Sequence, residues 1–192
     1  MSSEDQKSEV GNRQIILAVT GGIACYKSAD LCSKLVQSGA RVDVCMTEAA
    51  RKFVTPLTFE ALSGNAVRTD LWEQTDPGDT QHIGLTENAD LLLIAPATMH
   101  MLCKCAAGLC DDIVSLLVAA SACPVMWCPS MNTRMWDNPA TQNAVDHLRD
   151  RGHLFTGPEA GWLACRNTGK GRMSEVETIV EAVETNTTTR RA

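Results

Sequence analysis

Four short segments of small and hydroxyl residues follow apolar runs in this chain: Thr20-Gly21-Gly22, Thr47, Pro96-Ala97-Thr98 and Pro129-Ser130-Met131-Asn132. Each run reads as a strand buried on both faces, so the segments should meet at the carboxyl edge of one sheet, where open α/β folds place ligands. Backbone N–H groups and helix N-termini gathered there can hold a phosphate and a flat ring. The glycines do not form a dinucleotide fingerprint. T-G-G-I-A lacks the G-x-G-x-x-G spacing, and no acidic residue closes the second strand to hold a ribose. A mononucleotide fits better. Two further side chains are equipped for proton transfer. Cys165 lies in a Gly-rich loop, residues 157–171, near Arg166, Lys170 and Arg172, cations that favour a thiolate. His82 carries an imidazole, which titrates near neutral pH when unperturbed. Taken alone, it reads as a surface or core-satisfied histidine.

The elements that must position these groups alternate between strand and helix along the whole chain, the signature of βαβ units. Strands are expected at residues 14–19 (QIILAV), 42–46, 90–95 (DLLLIA), 125–128 and 153–156. A helix with Ala24, Leu31, Leu35 and Val36 toward the core should end at Ser38-Gly39. Thr55 and Pro56 mark another helix start. Further helices are expected over 112–120, from Asn138-Pro139 to Arg151 with Gly152 closing it, and over 174–184. His82 falls in a turn before the central strand. The expectation is one domain, residues 13–184: a single doubly wound, mostly parallel α/β sheet of Rossmann-like form. The polar ends, 1–12 and 185–192, are expected to be mobile tails.

Composition narrows the function. With 192 residues and 44% hydrophobic content, the chain can fill a core without staples. A net charge of −6 leaves no basic footprint for nucleic acid. No apolar run reaches the ~20 residues of a membrane span, and residues 1–12 lack the apolar region of a signal peptide. A cytoplasmic protein is expected. The nine cysteines are odd in number and contain no C-x-x-C pair, against both disulfides and structural zinc. Eight are expected in the core, with Cys165 the exception.

Beyond these local readings, the chain closely resembles the flavin-containing cysteine decarboxylases from residue 14 to residue 173. The resemblance rests on T-G-G-I-A-C-Y-K at 20–27, M-T-E-A-A at 46–50, P-L-T-F-E-A-L-S-G at 56–64 and H-I-G-L at 82–85. It continues with A-D-L-L-L-I-A-P-A-T at 89–98, G-L-C-D-D at 108–112, P-S-M-N-T-R-M-W at 129–136 and A-C-R-N-T-G-K-G-R-M at 164–173. The branch most resembled converts 4'-phosphopantothenoylcysteine to 4'-phosphopantetheine in coenzyme A biosynthesis. The resemblance implies FMN as cofactor, held at Gly21, Gly22, Ile23, Thr47, Phe53 and the turn Pro96, Ala97, Thr98. It implies a homo-oligomer, trimer or dodecamer, with FMN between subunits, and a ligase step carried out elsewhere. His82 becomes the candidate base, Asn132 the holder of the substrate carboxylate and Met131 a packing residue beside it. Cys165 becomes the acid that protonates carbon, on a loop that closes over substrate.

The family's reaction explains these residue types. A cysteine carboxylate has no electron sink, whereas oxidation of its thiol to a thioaldehyde creates one; CO₂ then leaves and the enethiol is reduced again. The chain departs from the family where Met99-His100-Met101 replaces Ala-Asn-Thr, at Asn88 in place of a tryptophan, and at Arg166 in place of a glycine. His100 either substitutes for the lost amide as a donor or is a partly exposed helix residue. Two alternatives share the fold: an oxidative decarboxylase of a peptidyl C-terminal cysteine, and a non-catalytic flavin-binding regulatory subunit. A flavin prenyltransferase would need neither the 129–136 octapeptide nor the Cys165 loop.

Overall fold

The computed structural model describes residues 11–71 and 81–188, the side chains of 81–83 and 188 excepted. Strand β1 (Gln14–Val19) leads into α1 (Cys25–Gln37), then β2 (Arg41–Met46), a 3-10 turn (Ala50–Lys52) and α2 (Pro56–Ser63). After α3 (Gln81–Asn88) come β3 (Leu91–Ala97), α4 (Met99–Ala106), α5 (Ile113–Ala120) and β4 (Val125–Pro129). The chain continues through α6 (Thr133–Trp136), α7 (Pro139–Asp150), β5 (Leu154–Phe155), β6 (Glu159–Trp162), β7 (Thr168–Arg172) and α8 (Val176–Thr188).

The first five strands form one parallel sheet in the order β2-β1-β3-β4-β5. Parallel neighbours need crossovers, and the crossover helices cover both faces, so the strands must be apolar on both sides. The side-chain alternation of β1 shows this directly. Ile15, Leu17 and Val19 belong to the cluster that includes residues of α1, α2 and α8, whereas Ile16 and Ala18 join that of α4, α5 and α7. Leu91 to Ile94 on β3 are fully buried. Each such side chain contributes about 1.5–3 kcal/mol through burial alone. The winding reverses between β1 and β3, and the crevice that such a reversal opens is where sheets of this order bind ligands.

Local signals explain most element ends. Gly39 and Gly152 adopt φ of +87° and +86° just beyond α1 and α7, the left-handed exit that glycine permits. Asp112 opens α5 with a capping box to Ser115. Among the described residues no helix is long and apolar enough to cross a membrane.

Several expectations need correction. The backbone at His82 is the first turn of α3, not a turn before the strand, and its side chain lies outside the described residues. The Gly-rich loop is an antiparallel hairpin, β6 with β7. The boundary at residue 184 is too early. Helix α8 continues through Thr187, which is buried and donates its hydroxyl to the Val183 carbonyl. Cys103 is half-buried because α4 turns only one stripe inward, and Cys110 is exposed on the loop between α4 and α5; six cysteines, not eight, are buried. Residues 1–10 and 189–192 of the expected tails lie outside the described residues.

His153 gives the fold a pH dependence. Trp127, fully buried, donates its indole N–H to His153 Nδ1 at 2.9 Å, so the imidazole must be neutral at that nitrogen. Burial, then the nearby Arg151 charge, holds the His153 pKa below its usual value. The folded state therefore binds the proton less readily than the unfolded chain. Stability is full above the unfolded pKa of about 6.5 and falls as the pH drops below it toward the lower folded pKa. His153→Gln keeps an acceptor for the indole and cannot titrate. Urea midpoints between pH 7.5 and 5 should fall less steeply in this variant, by up to about one linked proton. Equal slopes would mean that His153 is protonated as easily folded as unfolded.

Candidate active site

Thr20 ties the two strands at the reversal together. Its hydroxyl donates to the Pro96 carbonyl at 2.6 Å and accepts the Thr98 N–H at 3.2 Å. Thr98 in turn caps α4 by accepting the Met101 N–H at 3.3 Å. On the other side of the crevice, Ser28 donates to the Ala95 carbonyl at 2.7 Å, drawing α1 close behind β3. Gly21 lies so near Ala49 that any Cβ would collide with it, and only glycine allows the two ligand loops this approach. Helices α4, α5, α6 and α7 each have a side-chain cap, whereas α1 begins at Ala24 with none. In the first turn of α1 the Cys25 N–H donates to the Gly22 carbonyl at 3.0 Å and the Lys27 N–H to the Ala24 carbonyl at 2.9 Å, so no side chain occupies this helix start, and the helix dipole favours an anion in the crevice before it.

The opposite wall is built from α6 and the hairpin. Asn132 caps α6, its Oδ1 accepting the Arg134 N–H at 2.8 Å, and its Nδ2 donates to Cys165 Sγ at 3.0 Å. Two close approaches dock the hairpin there. A Cβ on Gly169 would strike the Thr133 side chain, and one on Gly171 the Met131 carbonyl; Met131 N–H donates to the Gly171 carbonyl at 2.9 Å. At the hairpin tip Arg166 adopts φ +63°, the left-handed region that favours glycine.

Two of the three cations near Cys165 in sequence, Arg172 and Lys170, are engaged elsewhere. Arg172 pairs with Glu159 at 3.2 Å and Glu175 at 2.7 Å, and Lys170 lies 5.6 Å from the centre of the Trp136 ring. Lys27 also reaches Glu175, at 3.0 Å, so an ion-pair chain joins the glycine loop to the hairpin base. In the last turn of α4, Lys104 holds Asp111 and Asp112, each at 2.6 Å.

These walls enclose a cavity of about 1080 Å³. Gly21, Gly22, Ile23, Thr47 and Thr98 line one side; Met131, Asn132 and Cys165 line the other. His100 also lines it, as do Tyr26 and Trp162, two exposed aromatics on its rim. Three expected contacts do not line it. Pro96 and Ala97 are buried in β3 behind Thr98, so their contribution is the Pro96 carbonyl that holds Thr20. Phe53 ends the 3-10 turn and points outward, 50% exposed. The sequence marks Thr20 only as part of the first ligand loop; its bond to the Pro96 carbonyl and the Lys27–Glu175–Arg172 chain join residues too far apart in sequence to form a local pattern. Among the described residues no group of three or more His, Cys, Asp or Glu is arranged for a metal. Burial pushes the thiols of Cys45 and Cys105 up to about 12, leaving them inert.

The family model described as Flavoprotein matches residues 3–188. The chain belongs to the flavoprotein family. Coenzyme A biosynthesis bifunctional protein CoaBC of Bacillus subtilis (strain 168) is 45% identical over 175 residues, which cover 91% of this chain and 43% of that protein. The chain thus spans less than half the length of the CoaBC relatives. A probable phosphopantothenoylcysteine decarboxylase of Streptococcus mutans is 39% identical, covering 90% of this chain and 97% of the relative. Among solved structures, a cysteine-to-serine mutant of PPC decarboxylase complexed with pantothenoylaminoethenethiol superposes with a TM-score of 0.81 at 29% identity, covering 91% and 97% of the two chains. The FMN-dependent cysteine decarboxylase SpaF gives 0.80 at 29%, over 93% and 97%. The fold and the family expected from the motifs are borne out, and these names agree with the decarboxylase reading.

Proposed function

We propose that this flavoprotein binds FMN and decarboxylates 4'-phosphopantothenoylcysteine to 4'-phosphopantetheine. The observation that carries the reading is the contact between Asn132 Nδ2 and Cys165 Sγ at 3.0 Å, in the mouth of a cavity whose far wall is the glycine loop. The fit to FMN rests on the uncapped start of α1 and the Gly21 close approach, which suit a phosphate, and on a sheet reversal of the kind that holds a mononucleotide. Gly21, Gly22, Ile23, Thr47 and Thr98 would hold it. When bound, FMN supplies the two-electron acceptor for the substrate thiol and returns the electrons after CO₂ has left.

The chain's own residues do the rest. His82 takes the proton released as the thiol is oxidised. Asn132 binds the carboxylate through its side-chain N–H groups. Cys165 gives a proton to the carbon that carried CO₂, and the hairpin keeps water out. Purified protein incubated with FMN and 4'-phosphopantothenoylcysteine should give a saturated thiol lighter by one CO₂, read by mass spectrometry. His82→Asn should stop CO₂ release. Bound flavin with no turnover would favour the regulatory reading; turnover only of a peptide C-terminal cysteine, with enethiol released, would favour the oxidative one.

A homo-oligomer follows from the same reading. Ile23, Tyr26, Phe53 and Leu57 are 50–71% exposed, a group of apolar side chains that includes part of the cofactor loop. A second copy placed there would cover them and bring Phe53 against a shared cofactor. Sedimentation should give the assembly that the family resemblance implies, a trimer or a multiple of three, stabilised by FMN. A monomer that keeps FMN and full turnover would rule this out. As an enzyme of coenzyme A biosynthesis it would act in the cytoplasm.

A further inference from the structure

The Asn132 amide has its orientation set by the backbone. Its Oδ1 accepts the Arg134 N–H at 2.8 Å, and a flipped amide would set N–H against N–H. Nδ2 is therefore aimed at Cys165 Sγ, 3.0 Å away. A second amide, Asn167 Nδ2, also reaches the same sulfur, at the longer and weaker distance of 3.9 Å. A neutral thiol accepts a hydrogen bond weakly, and a thiolate or carboxylate accepts one strongly. On the proposed reading, the substrate carboxylate and the Cys165 sulfur want the same donor at different stages.

We propose that Asn132 is a handover device: its Nδ2 serves the substrate carboxylate until CO₂ leaves, then returns to Cys165 Sγ and stabilises the thiolate formed as the thiol gives up its proton. This inference rests on the decarboxylase reading. In the step concerned, the Cys165 S–H bond breaks and its electron pair stays on sulfur. The proton forms a C–H bond at the former carboxylate carbon, using the enethiol π pair. The neighbouring sulfur-bearing carbon receives one hydrogen with two electrons from the reduced cofactor made in the first half-reaction. The handover also protects the intermediate. A thiolate formed before CO₂ loss would face an electrophilic thioaldehyde and add to it. While the carboxylate holds the Asn132 donor, the sulfur stays protonated and cannot attack.

The test reads Cys165 directly, without turnover. FMN-loaded protein is treated with iodoacetamide at neutral pH, and alkylation of the Cys165 peptide is timed by mass spectrometry. Two probes are compared: 4'-phosphopantothenoyl-alanine, which has the carboxylate and no thiol, and 4'-phosphopantothenoyl-ethylamine, which lacks both and controls for shielding. The alanine probe should slow alkylation about tenfold more than the ethylamine probe, the effect of losing a hydrogen bond to a charged group. Asn132→Asp keeps the cap on α6 and removes both N–H donors. It should alkylate at least about tenfold more slowly than the parent, with no difference between the probes. Equal slowing by both probes in the parent, or parent-rate alkylation in Asn132→Asp with its flavin spectrum intact, overturns the handover alone. Failure of both probes to perturb the flavin spectrum overturns the substrate reading and the handover with it.

Discussion

Cys165→Ser is expected to release CO₂ from 4'-phosphopantothenoylcysteine and stop there. On the proposed reading, thiol oxidation and CO₂ loss use His82 as base and Asn132 as carboxylate holder, and Cys165 enters only afterwards. The return step needs a proton donor at carbon. An alcohol is a far weaker acid than a thiol of pKa about 8.5, so the serine cannot supply that proton at neutral pH. Its hydroxyl still accepts from Asn132 Nδ2, so the hairpin keeps its place and the defect is chemical. Formation of the saturated thiol should fall by about a thousandfold, the usual scale of general-acid catalysis. The enethiol, lighter by two hydrogens, should accumulate in equal amount to the CO₂, with the flavin left reduced. Mass spectrometry and flavin absorbance on one sample report both. Saturated product at the parent rate would make Cys165 a loop residue. A block to CO₂ release as well would place the cysteine earlier, or make hairpin closure a condition for oxidation.

The sheet was legible because its signals are local and repeated. QIILAV and DLLLIA are apolar on both faces, which a strand in a doubly covered parallel sheet requires. The helix ends were legible through Ser38-Gly39, Thr55-Pro56, Asp112 and Asn138-Pro139, each acting within one turn. The hairpin was not. Gly161, Gly169 and Gly171 lower strand propensity, so β6 and β7 read as a loop. Those glycines exist for the neighbouring chain: each sits against an Arg172, Thr133 or Met131 atom that a Cβ would strike or crowd. The site shows the same division. Asn132 and Cys165 stood out by motif, but their contact spans 33 residues, and the Thr20–Pro96 bond spans 76. No periodicity carries that information. His100 is the exposed helix residue that one of its two readings expects, at the start of α4, and it also lines the cavity.

Gly171→Ala should disable the reaction while leaving the sheet folded, because a single close approach sets where Cys165 stands. Gly171 adopts φ +143°, which L-residues rarely enter, and a Cβ there would occupy the Met131 carbonyl. The Met131 N–H to Gly171 carbonyl bond at 2.9 Å cannot survive the shift needed to relieve that clash. Hairpin β6–β7 must then lift from α6, and Cys165 Sγ moves off Asn132 Nδ2. Displacement of a reacting group by about 1 Å costs on the order of a hundredfold in rate, so saturated product should fall at least that far. The core clusters lie in other elements, and urea unfolding should register a loss of only about 1–3 kcal/mol from backbone strain. Gly64→Ala is the control. Gly64 is also left-handed, φ +73°, but a Cβ there meets nothing within 4 Å. It should cost about 1 kcal/mol through conformation alone and leave turnover at the parent rate. If Gly171→Ala turns over like Gly64→Ala, the docked hairpin is not what places the acid. Cys165 would then have to reach the substrate from a conformation in which its bond to Asn132 plays no part.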